Sequence, residues 1–170
     1  MTEEDENEVI SLLNRSKNLY LRHISEPRDN SLRLVAEEAV VASQSEIAQT
    51  KMGPFSEILR GARPIQSIGN CKTFELQWSQ YVAYIVTEEV VGSAGNHEGE
   101  IYTGKLFRVY TKSHFLDYLS RDTGGHTEPI LHYKLICLNH LIDVASYDPP
   151  EIQLLGTGSE DRSETPSRAN

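Results

Sequence analysis

"LHYKLICLNHLIDVAS", residues 131–146, decides how the C-terminal half of this chain is built. A cysteine, two histidines, a lysine and an aspartate stand in it among apolar residues. Folding 131–137 back on 140–146 around Leu138-Asn139 sets Leu131 opposite Ser146, Tyr133 opposite Val144, Leu135 opposite Ile142 and Cys137 opposite His140 on one face. The other face then carries His132–Ala145, Lys134–Asp143 and Ile136–Leu141. Lys134 and Asp143 become a cross-strand ion pair on the wetter face, contributing roughly 0.2–1 kcal/mol. His132 stands beside them as a surface residue.

Two other arrangements compete. A turn at Asn139-His140 suits positive φ better than one that includes Leu138. It keeps the same faces, places His140 at the tip and sets Ile136 against Asp143. An unbroken strand is the third, with His132 and His140 on one face and Asp143 on the other. None of the three brings His132, His140 and Asp143 together, so no metal triad is expected from this segment.

One local pair carries possible chemistry. In the first register Cys137 faces His140, close enough for an imidazole to lower the thiol pKa and activate it as a nucleophile. Asn139 is too near in sequence to orient that histidine comfortably. A small buried cysteine beside a satisfied histidine accounts for the same residues without catalysis.

Working outward, "TFELQWSQYVAYIVTEE" (73–89) alternates strictly at 73–78 and is apolar on both faces at 81–86. It is one long strand, or two broken at Ser79-Gln80. Trp78, Tyr81 and Tyr84 lie along it as possible ligand-pocket residues, although aromatics on a strand are usually core. "VGSAGNHEGE" (91–100) reads as a turn and 101–111 as another strand. Ser113 caps a short helix, "HFLDYLS", with Phe115, Leu116 and Leu119 inward, stopped by Gly124-Gly125. Ser113, His114 and Asp117 stand in triad order, but their side chains diverge around a helix start, and capping is the better account of Ser113. Pro149-Pro150 closes the domain.

In the N-terminal half, Thr2 and Asp5 resemble a capping box, and acids crowd the positive end of a helix dipole. Val9, Leu12, Leu13, Leu19 and Tyr20 recur at helical spacing, so the helix is expected to run to "SEPRDN" (25–30). Residues 32–40 favour a strand, despite Ser31 being a good helix cap. Residues 51–70 read as loop with one helical turn at 56–59.

The expected architecture is therefore a single α+β domain over 1–155. An N-terminal helix packs on a mainly antiparallel, curved sheet of four to six strands. The last fifteen residues, 156–170, contain no Val, Ile, Leu, Met or aromatic residue and read as a disordered tail.

The 170 residues carry a formal charge of −9, from 25 acidic against 16 basic side chains. Five of the acids fall in the first eight positions. The remaining 20 acids and 16 bases leave a modest −4. With no basic stripe or Lys/Arg run, nucleic-acid binding has no electrostatic footprint. No apolar run has the length of a membrane span and the N-terminus lacks the pattern of a signal peptide, so a cytoplasmic location is expected. Four histidines between 114 and 140 match no zinc spacing, and the glycines form no phosphate-cradling motif, so no metal or cofactor is expected. The leading functional expectation is a non-catalytic protein-binding module with an acidic surface, neutralising or scaffolding a basic partner. A thiol-dependent enzyme using Cys137 and His140, or a small-molecule pocket lined by Trp78 and Tyr84, are the alternatives.

Overall fold

The computed structural model describes residues 3–41, 65–66, 71–93, 97–122 and 129–157. The expectations for Thr2, for 56–59, for Gly124-Gly125 and for 158–170 lie outside the described residues.

Helix α1 (Glu3–Arg15) is shorter than its apolar spacing predicts. The amide of Ser16 bonds to the carbonyls of Leu12 and Leu13, and its hydroxyl donates to the Leu12 carbonyl at 3.4 Å, which ends the helix. Leu19 and Tyr20 therefore belong to β1 (Asn18–Ser25). The spacing suits both structures. What separates them is β2 (Leu32–Val41), which gives β1 an antiparallel partner from Asn18↔Ala39 to Ser25↔Arg33, with a bulge between Leu21 and His23. The β1–β2 connection holds Asn30 at φ 59°. Ser31 closes it, its hydroxyl donating to the Arg28 carbonyl at 2.8 Å and accepting the Arg28 amide at 2.9 Å. That is the use of a serine that could otherwise have capped a helix.

Beyond β2 come the two-residue β3 (Ile65–Gln66), which pairs with the end of β2, and β4 (Lys72–Trp78). After the break at Ser79-Gln80 follow β5 (Ala83–Glu88), the short α2 (Glu89–Ser93), β6 (Ile101–Thr103) and β7 (Phe107–Lys112). The expected single strand over 101–111 is thus a hairpin. Gly104 turns it at φ +87°, where an added Cβ would sit 2.0 Å from the Phe107 carbonyl oxygen. Helix α3 (His114–Asp122), β8 (Leu131–Ile136), β9 (His140–Ser146) and β10 (Glu151–Thr157) follow. Pro149-Pro150 does not close the domain. It turns the chain into β10, which takes in Gly156 and Thr157 and buries Ile152.

Among the described residues the strands form two antiparallel five-stranded sheets, where the sequence predicts one sheet of four to six strands. The first has the order β1-β2-β4-β10, with β3 joined to β2; the second is β5-β9-β8-β7-β6. Neither is closed into a barrel. The core-facing residues of both enter one buried cluster. Leu34, Phe74, Leu76 and Trp78 come from the first sheet, and Phe107, Tyr133, Leu135, Ile142 and Val144 from the second. Trp78 meets Tyr133 with ring centroids 6.0 Å apart, and Tyr133 stacks on Phe107 at 5.6 Å. Leu13 of α1 is fully buried in the same cluster, and the helix packs against β10 and β7.

Two asparagines tie these layers together. Asn14 Oδ1, near the end of α1, accepts the amides of Lys105, Leu106 and Phe107 at 2.7, 2.9 and 3.1 Å, so the helix organises the β6–β7 turn. Asn139, in the β8–β9 turn, accepts the Leu21 amide and donates to the Leu21 carbonyl, both at 3.0 Å. Its amide pairs with β1 as another strand would. The Leu138 amide adds a bond to the Leu19 carbonyl at 2.8 Å.

Candidate functional site

The β8–β9 hairpin has the first of the three registers, from Leu131↔Ser146 through Lys134↔Asp143 to Ile136↔Leu141. The Cys137 amide bonds to the His140 carbonyl at 2.9 Å and closes the turn. The unfavourable Leu138 is held there by bonds from this turn to β1.

The outer face of this sheet is not the wet surface that the register alone implies. Tyr110 of β7, His132 of β8 and Ala145 of β9 form one cross-strand row, and each is buried. His132 is 1% exposed. Its ring stacks on Tyr110 with centroids 4.2 Å apart, and Phe115 of α3 meets it edge-on at 5.1 Å. Its Nδ1 lies 2.8 Å from Ser113 Oγ and its Nε2 lies 2.8 Å from Asp143 Oδ1. Asp143 also receives Lys134 Nζ at 3.2 Å. The Lys134–Asp143 pair is therefore present as expected, but inside the protein, with Lys134 only 9% exposed. The placement of His132 at the surface is corrected.

Serine, histidine and aspartate thus converge from three elements, Ser113 being joined by a histidine and an aspartate other than those beside it in sequence. An ionised Asp143 is acceptor-only, so Nε2 donates to it; in the neutral ring Nδ1 then accepts the Ser113 hydroxyl proton. Ser113 Oγ in turn accepts the Leu116 amide at 3.1 Å, the capping bond expected from the sequence. Both ring nitrogens of His132 and the hydroxyl proton of Ser113 have partners, and Ser113 is 1% exposed. A nucleophile must reach its substrate. This hydroxyl does not, and the set works as a buried brace between α3 and the sheet.

The remaining sequence-derived site residues are dispersed. Cys137 is 1% exposed, and burial pushes its thiol pKa up to about 12, opposite to the shift an activated nucleophile needs. His140 meets it through the backbone bond, while His140 Nδ1 is buried without a hydrogen-bond partner among the described residues. Trp78 faces the core at 1% exposed and does not join Tyr81 and Tyr84 in a pocket. Those two rings meet edge-on at 5.0 Å, and their hydroxyls donate to Glu26 Oε1 at 2.9 and 3.0 Å. The bond to Glu26 is the main reason that both phenol pKa values are raised. Among the described residues no His, Cys, Asp or Glu cluster has the makings of a metal site.

A cleft not foreseen in the sequence lies beside the brace. It encloses about 250 Å³ and is lined by His97, Tyr102, Arg108 and Lys134 on its polar side and by Gly92, Ile136 and Leu141 on its apolar side. Arg108 and Lys134 are cross-strand neighbours. The Arg108 guanidinium lies over the Tyr102 ring, 4.3 Å from its centroid. Nearby, Glu100 Oε2 lies 2.9 Å from His97 Nδ1 and Glu100 Oε1 accepts the His114 amide at 3.1 Å. Burial pushes the Glu100 carboxyl up, but these bonds and the charges of His97 and Lys134 outweigh it and hold the group below its ordinary range. The one sequence signal for this site was alternation: Tyr102, Arg108 and Lys134 all fall on the polar parity of their strands.

Comparison of the chain with protein-family models, with curated proteins and with solved structures finds no match.

Proposed function

We propose that this protein is a non-catalytic binding module that takes up a basic, extended segment of a partner protein along the free edge of β5. The observation that carries the reading is the apolar exposure at that edge. β5 is the terminal strand of its sheet among the described residues. Ile85 and Val86 on it are 44% and 41% exposed, and Val90 and Val91 on the adjoining α2 are 69% and 65% exposed. A terminal strand offers unpaired amides and carbonyls, and an extended segment adding to it gains main-chain bonds while its alternate side chains find apolar contacts.

Charge favours a basic partner. Glu26 stands at the start of β5, held by Tyr81 and Tyr84, and the exposed Glu88 stands at its end. The chain as a whole carries −9. The buried brace and the raised thiol support the non-catalytic part of the reading, since they leave neither Ser113 nor Cys137 equipped to attack a substrate. No helix among the described residues is long and apolar enough to cross a membrane.

Selection from a random displayed-peptide library tests the proposal. Enriched peptides are expected to alternate apolar residues with Lys or Arg, and to slow amide exchange along 83–88. Val86→Lys is expected to abolish their binding, and raising salt to slow their association. Enriched acidic peptides, or protection confined to other strands, would overturn the reading.

A further inference from the structure

Around the cleft on the outer face of the second sheet, most charges are already matched. Lys134 is paired with Asp143, and Glu100 with His97. Arg108 differs. Its Nε donates to the Lys105 carbonyl at 3.3 Å and its plane rests on Tyr102, yet no carboxylate among the described residues pairs with it. Close by, the Tyr110 hydroxyl is buried beside Arg108; no hydrogen bond of full geometry reaches it among the described residues, yet the guanidinium's interaction with it offsets part of the rise that burial gives its pKa. A stacked guanidinium whose terminal nitrogens meet no carboxylate among the described residues is an arrangement suited to a ligand with a planar anionic group.

We propose that this cleft binds a small organic monocarboxylate, its carboxylate held by Arg108 with Lys134 beside it and its hydrocarbon part against Ile136 and Leu141. Three features select this class. The cleft is small, about 250 Å³, below the roughly 300–1,000 Å³ of sites for drug-sized ligands. Its far side is apolar, which gives no partner to the outer oxygens of an inorganic anion. Asp143 and Glu100 flank the cations, so a dianion such as phosphate meets two like charges, whereas a single negative charge balances the one guanidinium left over. Gly92 keeps α2 close enough to wall the apolar end, since a Cβ there would lie 2.5 Å from Leu141 Cδ1. The site is separate from the β5 edge and stands whether or not that edge binds a partner.

Calorimetric titration of the full chain with acetate, butyrate and hexanoate, with hexanamide and with inorganic phosphate tests the proposal. Affinity is expected to rise about fourfold for each added methylene until the cleft is full. Hexanamide, which keeps the hydrocarbon and loses the charge, is expected not to bind measurably. Arg108→Gln is expected to weaken hexanoate at least tenfold, and Arg108→Lys, which keeps the charge but not the fork, by less. Arg108 is half-buried at the sheet surface, and unchanged thermal melting of both variants checks that they remain folded. Phosphate binding more tightly than any carboxylate, acid and amide binding equally, hexanoate binding unaffected by Arg108→Gln, or no heat from any carboxylate would each overturn it.

Discussion

His132 and Asp143 are diagonal rather than direct neighbours across the β8–β9 ladder. His132 pairs with Ala145 and Asp143 with Lys134, yet the imidazole reaches the carboxylate at 2.8 Å. One carboxylate thereby serves two buried donors. Replacing His132 with Ala takes from Asp143 one of its two donors and from the Ser113 hydroxyl its acceptor, and leaves a cavity against Tyr110 and Phe115. A loss of roughly 2–5 kcal/mol is expected from urea unfolding. A double-mutant cycle with Asp143→Asn should give a coupling of roughly 0.5–3 kcal/mol. Independent, additive effects would show that the brace does not act as a unit.

Alkaline stability follows from two buried acids. Burial raises Cys137 from 9.0 to about 12, and burial, aided by the charge of Asp148, raises Tyr133 from 10.0 to about 12. Each contributes stability that is fully present below its unfolded value and is lost as pH rises through the folded one. Chemical denaturation between pH 8 and pH 12 is expected to show a decline that begins near pH 9 and is shallower in Cys137→Ala. Native Cys137 should also react with iodoacetamide at neutral pH only on the timescale of unfolding. Fast labelling abolished by His140→Ala would return the thiol-enzyme reading.

Acid stability has a different source. The folded Glu100 carboxyl lies below its ordinary 4.5, so it contributes stability at higher pH that is lost as pH falls through the depressed value. Glu100→Gln is expected to flatten the acid limb of the stability profile below about pH 4.5. An unchanged limb would place the acid sensitivity at other carboxylates.

Asn14→Ala removes the acceptor of three consecutive amides, at a cost of roughly 1–3 kcal/mol. Hydrogen exchange at Lys105, Leu106 and Phe107 should accelerate more than global unfolding predicts. Equal acceleration everywhere would mean that the turn holds itself.

The hairpin register was legible as one of three arrangements: a turn at Leu138-Asn139 sets Tyr133 against Val144 and Leu135 against Ile142, but turn chemistry spoke against Leu138, and only the bonds from this turn to β1 decide. The capping role of Ser113 was equally local. Burial of His132 was not legible, since Phe115 and Tyr110 cover it from other elements, and polar parity alone reads as surface. Leu19 and Tyr20 fit a helical stripe as well as a strand, and only β2 decides between them. The partition into two sheets rests on Ser79-Gln80, where a break was one of two readings. Ile152 sends no signal in the sequence, because a single deeply buried residue between Pro150 and the polar tail has no periodicity to read.

The first sheet pairs β4 with β10, residues 72–78 with 151–157, and the whole second sheet lies between them in the chain. On a ribosome, the N-terminal strands emerge long before the strand that completes their sheet. Until residue 157 is out, the rim of β4 stays bare, with Thr73, Glu75 and Gln77 flanking the apolar Phe74, Leu76 and Trp78. Pairing across so long an intervening segment is slow, because the loop must close before any contact rewards it. A nascent or truncated chain ending before residue 151 therefore presents a sticky rim to its neighbours, and the final strand acts as the fold's own safeguard against self-association.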